Sequence, residues 1–276
     1  MIRAAVLGAD VTKSRSPAIH NAAFRALGVE GRYVAYSVDA AGFAPQVRQL
    51  RAEGYRYVNV TIPHKEAAAQ LGDEQGPEVR ASGAANTLLF ATPSAPIRAE
   101  NTDGAGLIAA LADVGVEVAG KTIVMVGAGG AAAGAAEALV RADASVVVLA
   151  RRAEAAFALL GRLNPPSPAQ LDASVWTADA LRFVLAKADV LVSAVPAAAW
   201  APDDVRAGLD ALSKDAAVLE MAYGATTPLA DAVRARTARY ADGLGMLVHQ
   251  AAHAITLALG QAPPLPPLFD AVRRAL

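Results

Sequence analysis

Thr122-Ile123-Val124-Met125-Val126-Gly127-Ala128-Gly129-Gly130-Ala131-Ala132 is the stretch that decides the fold. Its first five residues form a continuous apolar run, as expected of a strand buried on both faces of a parallel sheet. The next six follow G-x-G-x-x-A, and Ala131–Arg141 continues as a helix. Each position has a physical task. Gly127 allows the tight turn, Gly129 lets the backbone approach a pyrophosphate, and the small Ala132 lets the helix pack on the strand, with the helix N-terminus facing the phosphates. With a strand before it and a helix after it, the pattern reads as a dinucleotide-binding turn and not merely a tight connection.

Beyond this unit, Ser145–Leu149 is a second buried strand, followed by Ala150-Arg151-Arg152. A site selective for NAD places Asp or Glu near this point to take hydrogen bonds from the ribose 2′-hydroxyl. Two guanidinium groups suit a 2′-phosphate instead, so NADP is the expected cofactor. The plainer reading is of two exposed charges at the start of a helix, where positive charge is slightly unfavourable. Val190–Val192 and Ala217–Leu219 read as later strands. Gly245–Leu259 and Leu268–Leu276 read as helices, separated by the proline-rich Ala262–Pro267.

Upstream, Ala4–Leu7, Tyr33–Ser37 and Tyr57–Val60 read as strands, and Pro17–Leu27 and Ala41–Glu53 as the helices between them. Ser16 is the candidate N-cap of the first helix, Pro17 lies in its first turn and Gly28 just past its end. This β-α-β-α-β order implies a largely parallel sheet covered by helices. Asn86–Phe90 adds a strand, Ala91–Ala99 reads as a Pro-, Ser- and Ala-rich loop, and Asp103–Val114 as a long helix. The resulting plan is α/β with two domains. An open, mostly parallel N-terminal domain comprises 1–102 and 240–276, and a cofactor-binding domain comprises 103–239. A cleft between two such domains is a usual place for a small ligand.

Composition narrows the function. The 276 residues carry a net charge of −1, which gives no global field to attract nucleic acid or an anionic membrane. No apolar run reaches the roughly 18 residues of a membrane span, and the start lacks the long apolar region of a secretory signal. The chain has no cysteine, which excludes disulfides, thiolate metal sites and thiol catalysis, and fits a cytoplasmic protein. Arginine outnumbers lysine 20 to 5, so a lysine inside a motif carries some signal.

Polar residues concentrate in four segments of this alanine-rich chain: Ser14-Arg15-Ser16-Pro17-Ala18-Ile19-His20-Asn21, Asn59-Val60-Thr61-Ile62-Pro63-His64-Lys65, Gly83-Ala84-Ala85-Asn86-Thr87 and Glu100-Asn101-Thr102-Asp103-Gly104. The first two follow expected strands, and the C-terminal ends of strands are where open α/β sheets bind ligands. Hydroxyls, carboxamides, one lysine and one aspartate suit a polyol bearing a carboxylate. No metal site is expected. His20, His64, His249 and His253 are scattered, and the last two, one helical turn apart, lack a nearby Glu. Taken singly, each residue has an ordinary structural role: Ser16 or Asp103 as a helix cap, Asn86 in a turn, Gln250 as a buried amide with a backbone partner, Met221 in the core, Tyr223 anchoring a loop.

These four segments, the glycine loop, and Gly243-Leu244-Gly245-Met246-Leu247-Val248-His249-Gln250-Ala251-Ala252 occur in order at consistent spacing from Gly8 to about Gly260, and together they resemble the shikimate dehydrogenase family. The resemblance implies an N-terminal substrate domain and a Rossmann-like NADP domain. It implies reduction of 3-dehydroshikimate to shikimate with NADPH, within aromatic amino acid (chorismate) biosynthesis, by a monomer or homodimer. By the same resemblance Lys65 and Asp103 are the catalytic pair, and Ser14 and Ser16 bind the substrate carboxylate. Thr61, Asn86, Tyr223 and Gln250 bind its hydroxyls, with Asn59 nearby. Gly127, Ala128, Gly129, Gly130 and Ala131 hold NADP together with Arg151 and Arg152, and Met221 and Gly243 lie near the nicotinamide.

The chain departs from the family pattern at Lys13 (usually His), at Asp10 (usually Pro at or near it), at Ser193-Ala194-Val195 (commonly Asn-Ala-Thr) and at Ala150 and Arg152 (usually Asn and Thr). Pro77, followed by Glu78, stands where the family has an acidic residue. The catalytic pair is untouched by these changes. Competing readings are a quinate or quinate/shikimate dehydrogenase, a paralogue acting on a modified ring, and a non-catalytic nucleotide sensor. Ser16, where quinate-preferring relatives often carry Thr, argues against the first, and the intact Lys65 and Asp103 argue against the last.

Overall fold

The computed structural model describes residues 1–163, 171–223, 226–237 and 239–275, with only the backbone at 204 and 205. Leu276, the expected last residue of the C-terminal helix, lies outside the described residues. The chain divides into two compact units, Met1–Gly106 with Leu247–Leu276, and Leu107–Met246.

The first unit contains β1 (Ile2–Gly8), α1 (Ser16–Ala26), β2 (Gly31–Ser37), α2 (Ala40–Ala52), β3 (Tyr57–Val60), α3 (Lys65–Leu71), β4 (Glu74–Gln75), α4 (Pro77–Ser82), β5 (Thr87–Phe90) and β6 (Ile97–Glu100). Its sheet runs β2-β1-β3-β5-β6-β4. The pairs β1–β2, β1–β3 and β4–β6 are parallel, while β5 runs antiparallel to both β3 and β6. Leu7, Phe43, Val47, Val58 and Leu88 lie in a core between this sheet and its helices.

Three local expectations need correction. Ser16 does not cap α1. Arg15 holds the N-cap position, with dihedrals of φ −84° and ψ −11°, no side-chain hydrogen bond caps the helix, and Ser16 is its first residue. Pro17 and Gly28 fall as expected, the latter at φ 68° just past the helix end. The segment Ala91–Ala99 is not all loop, because Ile97 opens β6, in which Ile97 and Ala99 face inward and Arg98 outward. Finally, the last helix, α12 (Leu265–Arg274), starts inside the proline-rich run. Pro266 and Pro267 sit in its first turn, where the missing N–H has no intrahelical partner to lose. This helix packs on α1.

The helix α5 (Asp103–Asp113) leads into the second unit. There follow β7 (Thr122–Val126), α6 (Gly130–Arg141), β8 (Ser145–Ala150), α7 (Ala153–Leu160), β9 (Leu171–Val175), α8 (Ala178–Leu185), β10 (Val190–Ser193), α9 (Asp203–Arg206), β11 (Ala217–Glu220), α10 (Pro228–Val233) and β12 (Tyr240–Ala241), before α11 (Gly243–Leu259). The sheet runs β9-β8-β7-β10-β11-β12 with all pairs parallel. Counted from β7 this is 3-2-1-4-5-6, the doubly wound order of a Rossmann-like domain. The apolar run that opens β7 is divided by the strand pleat: Ile123 and Met125 enter the core on one face, Val124 and Val126 the core on the other.

Candidate active site

In the first unit, β3 ends at Val60 and the chain turns back past the end of β1. The Thr61 amide donates to Leu7 O at 2.9 Å, and the Ala9 amide to Ile62 O at 3.1 Å. A Cβ on Gly8 would stand 2.4 Å from Thr61 Cγ2, so only glycine lets the turn come this close. The turn delivers Lys65 to the first position of α3, nearly buried at 9 % exposure. Lys65 Nζ donates to Asp103 Oδ2, and Asp103, at the first position of α5, is 5 % exposed. A buried ion pair adds little stability over an apolar replacement of similar volume, because both ions lose their hydration. An ion pair kept in such a place points to chemistry.

Asn86 joins this pair. Its Nδ2 donates to Asp103 Oδ1 at 2.8 Å, to Thr102 Oγ1 at 2.9 Å and, at 3.3 Å, to Gln250 Oε1. Its Oδ1 accepts from the Thr102 amide at 2.9 Å, which fixes which end of the carboxamide is oxygen. Gln250, on α11, is oriented by donating from Nε2 to Leu247 O at 3.0 Å. Asn59, on β3, pairs in register with Thr87 on β5 and donates to its Oγ1 at 2.9 Å, while its own Oδ1 accepts from Tyr33. Ser14 and Ser16 stand together at the start of α1, where the Ser16 amide donates to Ser14 Oγ at 3.3 Å. That end of the helix carries no acidic residue in its first turn and no side-chain cap.

The second unit holds the remaining expected residues. Gly127 has φ 119°, and a Cβ there would lie 2.8 Å from Ala194 O, so both dihedral and packing demand glycine. This turn joins β7 to α6 beside the end of β10, where the strand order reverses. A Cβ on Gly129 would meet nothing within 4 Å, and α6 begins with no side-chain cap. An open approach to uncapped helical amides suits a pyrophosphate, so these residues fit a dinucleotide. Arg151 and Arg152 are exposed at the end of β8, and Arg152 is the N-cap of α7. Met221 and Tyr223 follow β11. Gly243 opens α11 so close to Met221 that a Cβ would lie 2.1 Å from Met221 O.

Thr87 and Thr102, both buried here, have no assigned task in the sequence, where Tyr33 reads only as the start of a strand. The signal lay in the segments themselves, since Asn86-Thr87 and Asn101-Thr102 place hydroxyls beside carboxamides in a chain dominated by alanine. A surface depression lined by Met1, Arg3, Tyr55, Arg56 and Leu259 lies at the opposite end of β1 and β3 from Thr61 and contains none of the expected residues. Among the described residues no group of three or more His, Cys, Asp or Glu is arranged to hold a metal ion. No described helix is long and apolar enough to cross a membrane.

Comparison with known proteins assigns the chain. Residues 6–88 match the shikimate dehydrogenase substrate-binding domain, and residues 114–254 an NAD(P)-binding domain. The shikimate dehydrogenase (NADP+) of Methylobacillus flagellatus is 37 % identical, with all of both chains covered. The chain belongs to the shikimate dehydrogenase family. The enzyme of that name from Acidovorax sp. is 35 % identical over 98 % of this chain and 95 % of its own. The shikimate 5-dehydrogenase of Thermus thermophilus, solved in complex with NADP(H) and shikimate, superimposes with a TM-score of 0.87 at 32 % identity, covering all of both chains. The substrate-domain match contains Ser14, Ser16, Asn59, Thr61, Lys65 and Asn86, and the NAD(P)-binding match contains the glycine loop and both arginines. Asp103 falls between the two.

Proposed function

We propose that this chain interconverts 3-dehydroshikimate and shikimate with NADP, the first unit binding the substrate and the second the cofactor. The observation that carries the reading is the buried Lys65–Asp103 pair with Asn86 against it. When bound, the cofactor supplies a hydride to the ring ketone, or accepts one in the reverse direction. Lys65 holds the proton that the new hydroxyl oxygen takes up, and its positive charge stabilises that oxygen as it becomes negative. Asp103 holds the lysine in place. Ser14 and Ser16 take the substrate carboxylate at the start of α1, where helical amides favour an anion.

In this reading Thr61, Asn86, Gln250 and Tyr223 bind ring hydroxyls, whereas Asn59, whose amide is engaged by Tyr33, Thr87 and the Asn86 carbonyl, supports Asn86 from behind. Gly127 to Ala131 hold the pyrophosphate, Arg151 and Arg152 the 2′-phosphate, and Met221 and Gly243 adjoin the nicotinamide. The purified protein is expected to consume NADPH when 3-dehydroshikimate is added. Absence of consumption by folded, NADPH-binding protein would overturn the reading.

A further inference from the structure

A row of buried side chains runs from β2 to Asp103, and every hydrogen bond in it points the same way. Tyr33 Oη donates to Asn59 Oδ1 at 2.7 Å, and Asn59 Nδ2 donates to Thr87 Oγ1 at 2.9 Å. Thr87 Oγ1 donates to Asn86 Oδ1 at 2.9 Å, and Asn86 Nδ2 donates to Asp103 Oδ1 at 2.8 Å. The direction is fixed by chemistry. Asn59 Nδ2 also donates to a backbone carbonyl, Asn86 O, and Asn86 Oδ1 also accepts from a backbone amide, that of Thr102, so neither carboxamide can be turned around without loss. Thr87 has a single hydrogen, and it is committed to Asn86. In such a one-directional row each bond polarises the next, and the row ends on the carboxylate that holds Lys65.

The far end is clamped. The Tyr33 ring stacks on His20 with centroids 4.0 Å apart and planes 12° from parallel, and His20 Nδ1 lies 2.6 Å from the Tyr57 hydroxyl. Burial raises the Tyr33 phenol well above its ordinary pKa and lowers His20 to about 3. Both therefore stay neutral through the working pH range, and the hydroxyl at the head of the row remains a donor.

We propose that Tyr33, acting through Asn59, Thr87 and Asn86, is a positioning residue for the Lys65–Asp103 pair. The inference rests on the reading of that pair as the reacting one. Without the Tyr33 hydroxyl, Asn59 Oδ1 loses its donor, and only the 3.3 Å bond from Nδ2 to Asn86 O still opposes turning that oxygen toward Thr87. The Thr87 hydrogen then goes to Asn59, Asn86 loses one of the bonds that hold it, and Asp103 is less firmly set. The competing account is that these are buried polar groups that merely satisfy one another, as buried polar groups generally do. That account expects lost stability and unchanged chemistry.

The test is steady-state kinetics of shikimate oxidation with four variants. Tyr33→Phe removes the hydroxyl and keeps the ring on His20. It is expected to lower kcat about three- to tenfold, the range for one net hydrogen bond, with KM for NADP unchanged. In an Asp103→Asn background, whose residual rate is measured, the same change is expected to have no further effect on kcat. Thr87→Val is expected to match Tyr33→Phe, and Thr87→Ser, which keeps the hydroxyl, to restore the wild-type kcat. A Tyr33→Phe enzyme with wild-type kcat overturns the proposal, whatever its melting temperature. So does an effect that simply adds to that of Asp103→Asn. If Tyr33→Phe does not fold, equal rates for Thr87→Val and Thr87→Ser overturn it instead. A wild type that does not oxidise shikimate removes the functional reading, whereas a wild type that does, with insensitive variants, removes only this inference.

Discussion

Lys65→Ala takes away the ammonium that Asp103 holds, and kcat is expected to fall by at least about a hundredfold, the low end for loss of a general acid-base group. Asp103→Asn keeps the shape and removes the charge. Turnover is expected to drop while NADP affinity, measured by calorimetry, stays near wild type, and a selective loss of NADP binding would assign Asp103 to the cofactor instead. His20 gives a second prediction at this scale. Burial lowers its pKa to about 3, below the ordinary 6.5, so the unfolded chain binds the extra proton first as pH falls. Stability from the buried neutral ring is full above about pH 6.5 and is lost progressively between there and pH 3. Between pH 7 and pH 5 the loss amounts to about 2 kcal/mol. Urea unfolding of wild type and His20→Gln at both pH values is expected to show that much less pH dependence in the variant. Equal dependence would mean that His20 does not titrate as its burial requires.

Secondary-structure elements differ in how plainly the sequence announces them. β7 was legible because its apolar run is long and ends in a glycine turn, and both of its faces are buried. β6 was not, because two of its four residues, Arg98 and Glu100, are charged and it adjoins a Pro- and Ser-rich stretch. The helices α3 and α4, of seven and six residues, escaped because less than two full turns shows no helical period, and the prolines that open α12 read as a separator. The N-terminus of α1 matters for function. Since Ser16 does not cap it, Ser16→Ala is expected to change stability by less than about 0.5 kcal/mol, below the roughly 1 kcal/mol of a lost cap, yet to raise KM for shikimate. Lost stability with unchanged KM would make Ser16 structural only. At the end of β8, Arg151→Ala is expected to weaken NADP about ten- to a hundredfold by removing a charge-assisted hydrogen bond, with NAD much less affected. Added salt is expected to weaken NADP more than NAD, because exposed ion pairs are screened. Equal weakening of both cofactors would remove Arg151 from 2′-phosphate recognition.

For the molecule as a whole, the parallel order of the second unit and the largely parallel order of the first follow from the alternation of strand and helix. The candidate site was readable for a different reason. Its residues are chemically conspicuous in an alanine-rich chain, so Lys65, Asn86 and Asp103 could be named before their contacts were known. Their supports could not: Tyr33 reads only as the start of a strand, and only the fold brings its hydroxyl to Asn59. The central claim is that this fold carries out NADP-linked oxidation of shikimate. Its most direct test is the initial rate of the wild-type protein with shikimate or quinate, each with NADP or NAD. The account predicts the highest kcat/KM for shikimate with NADP. Failure to oxidise shikimate with either cofactor, or a higher kcat/KM for quinate, would contradict it.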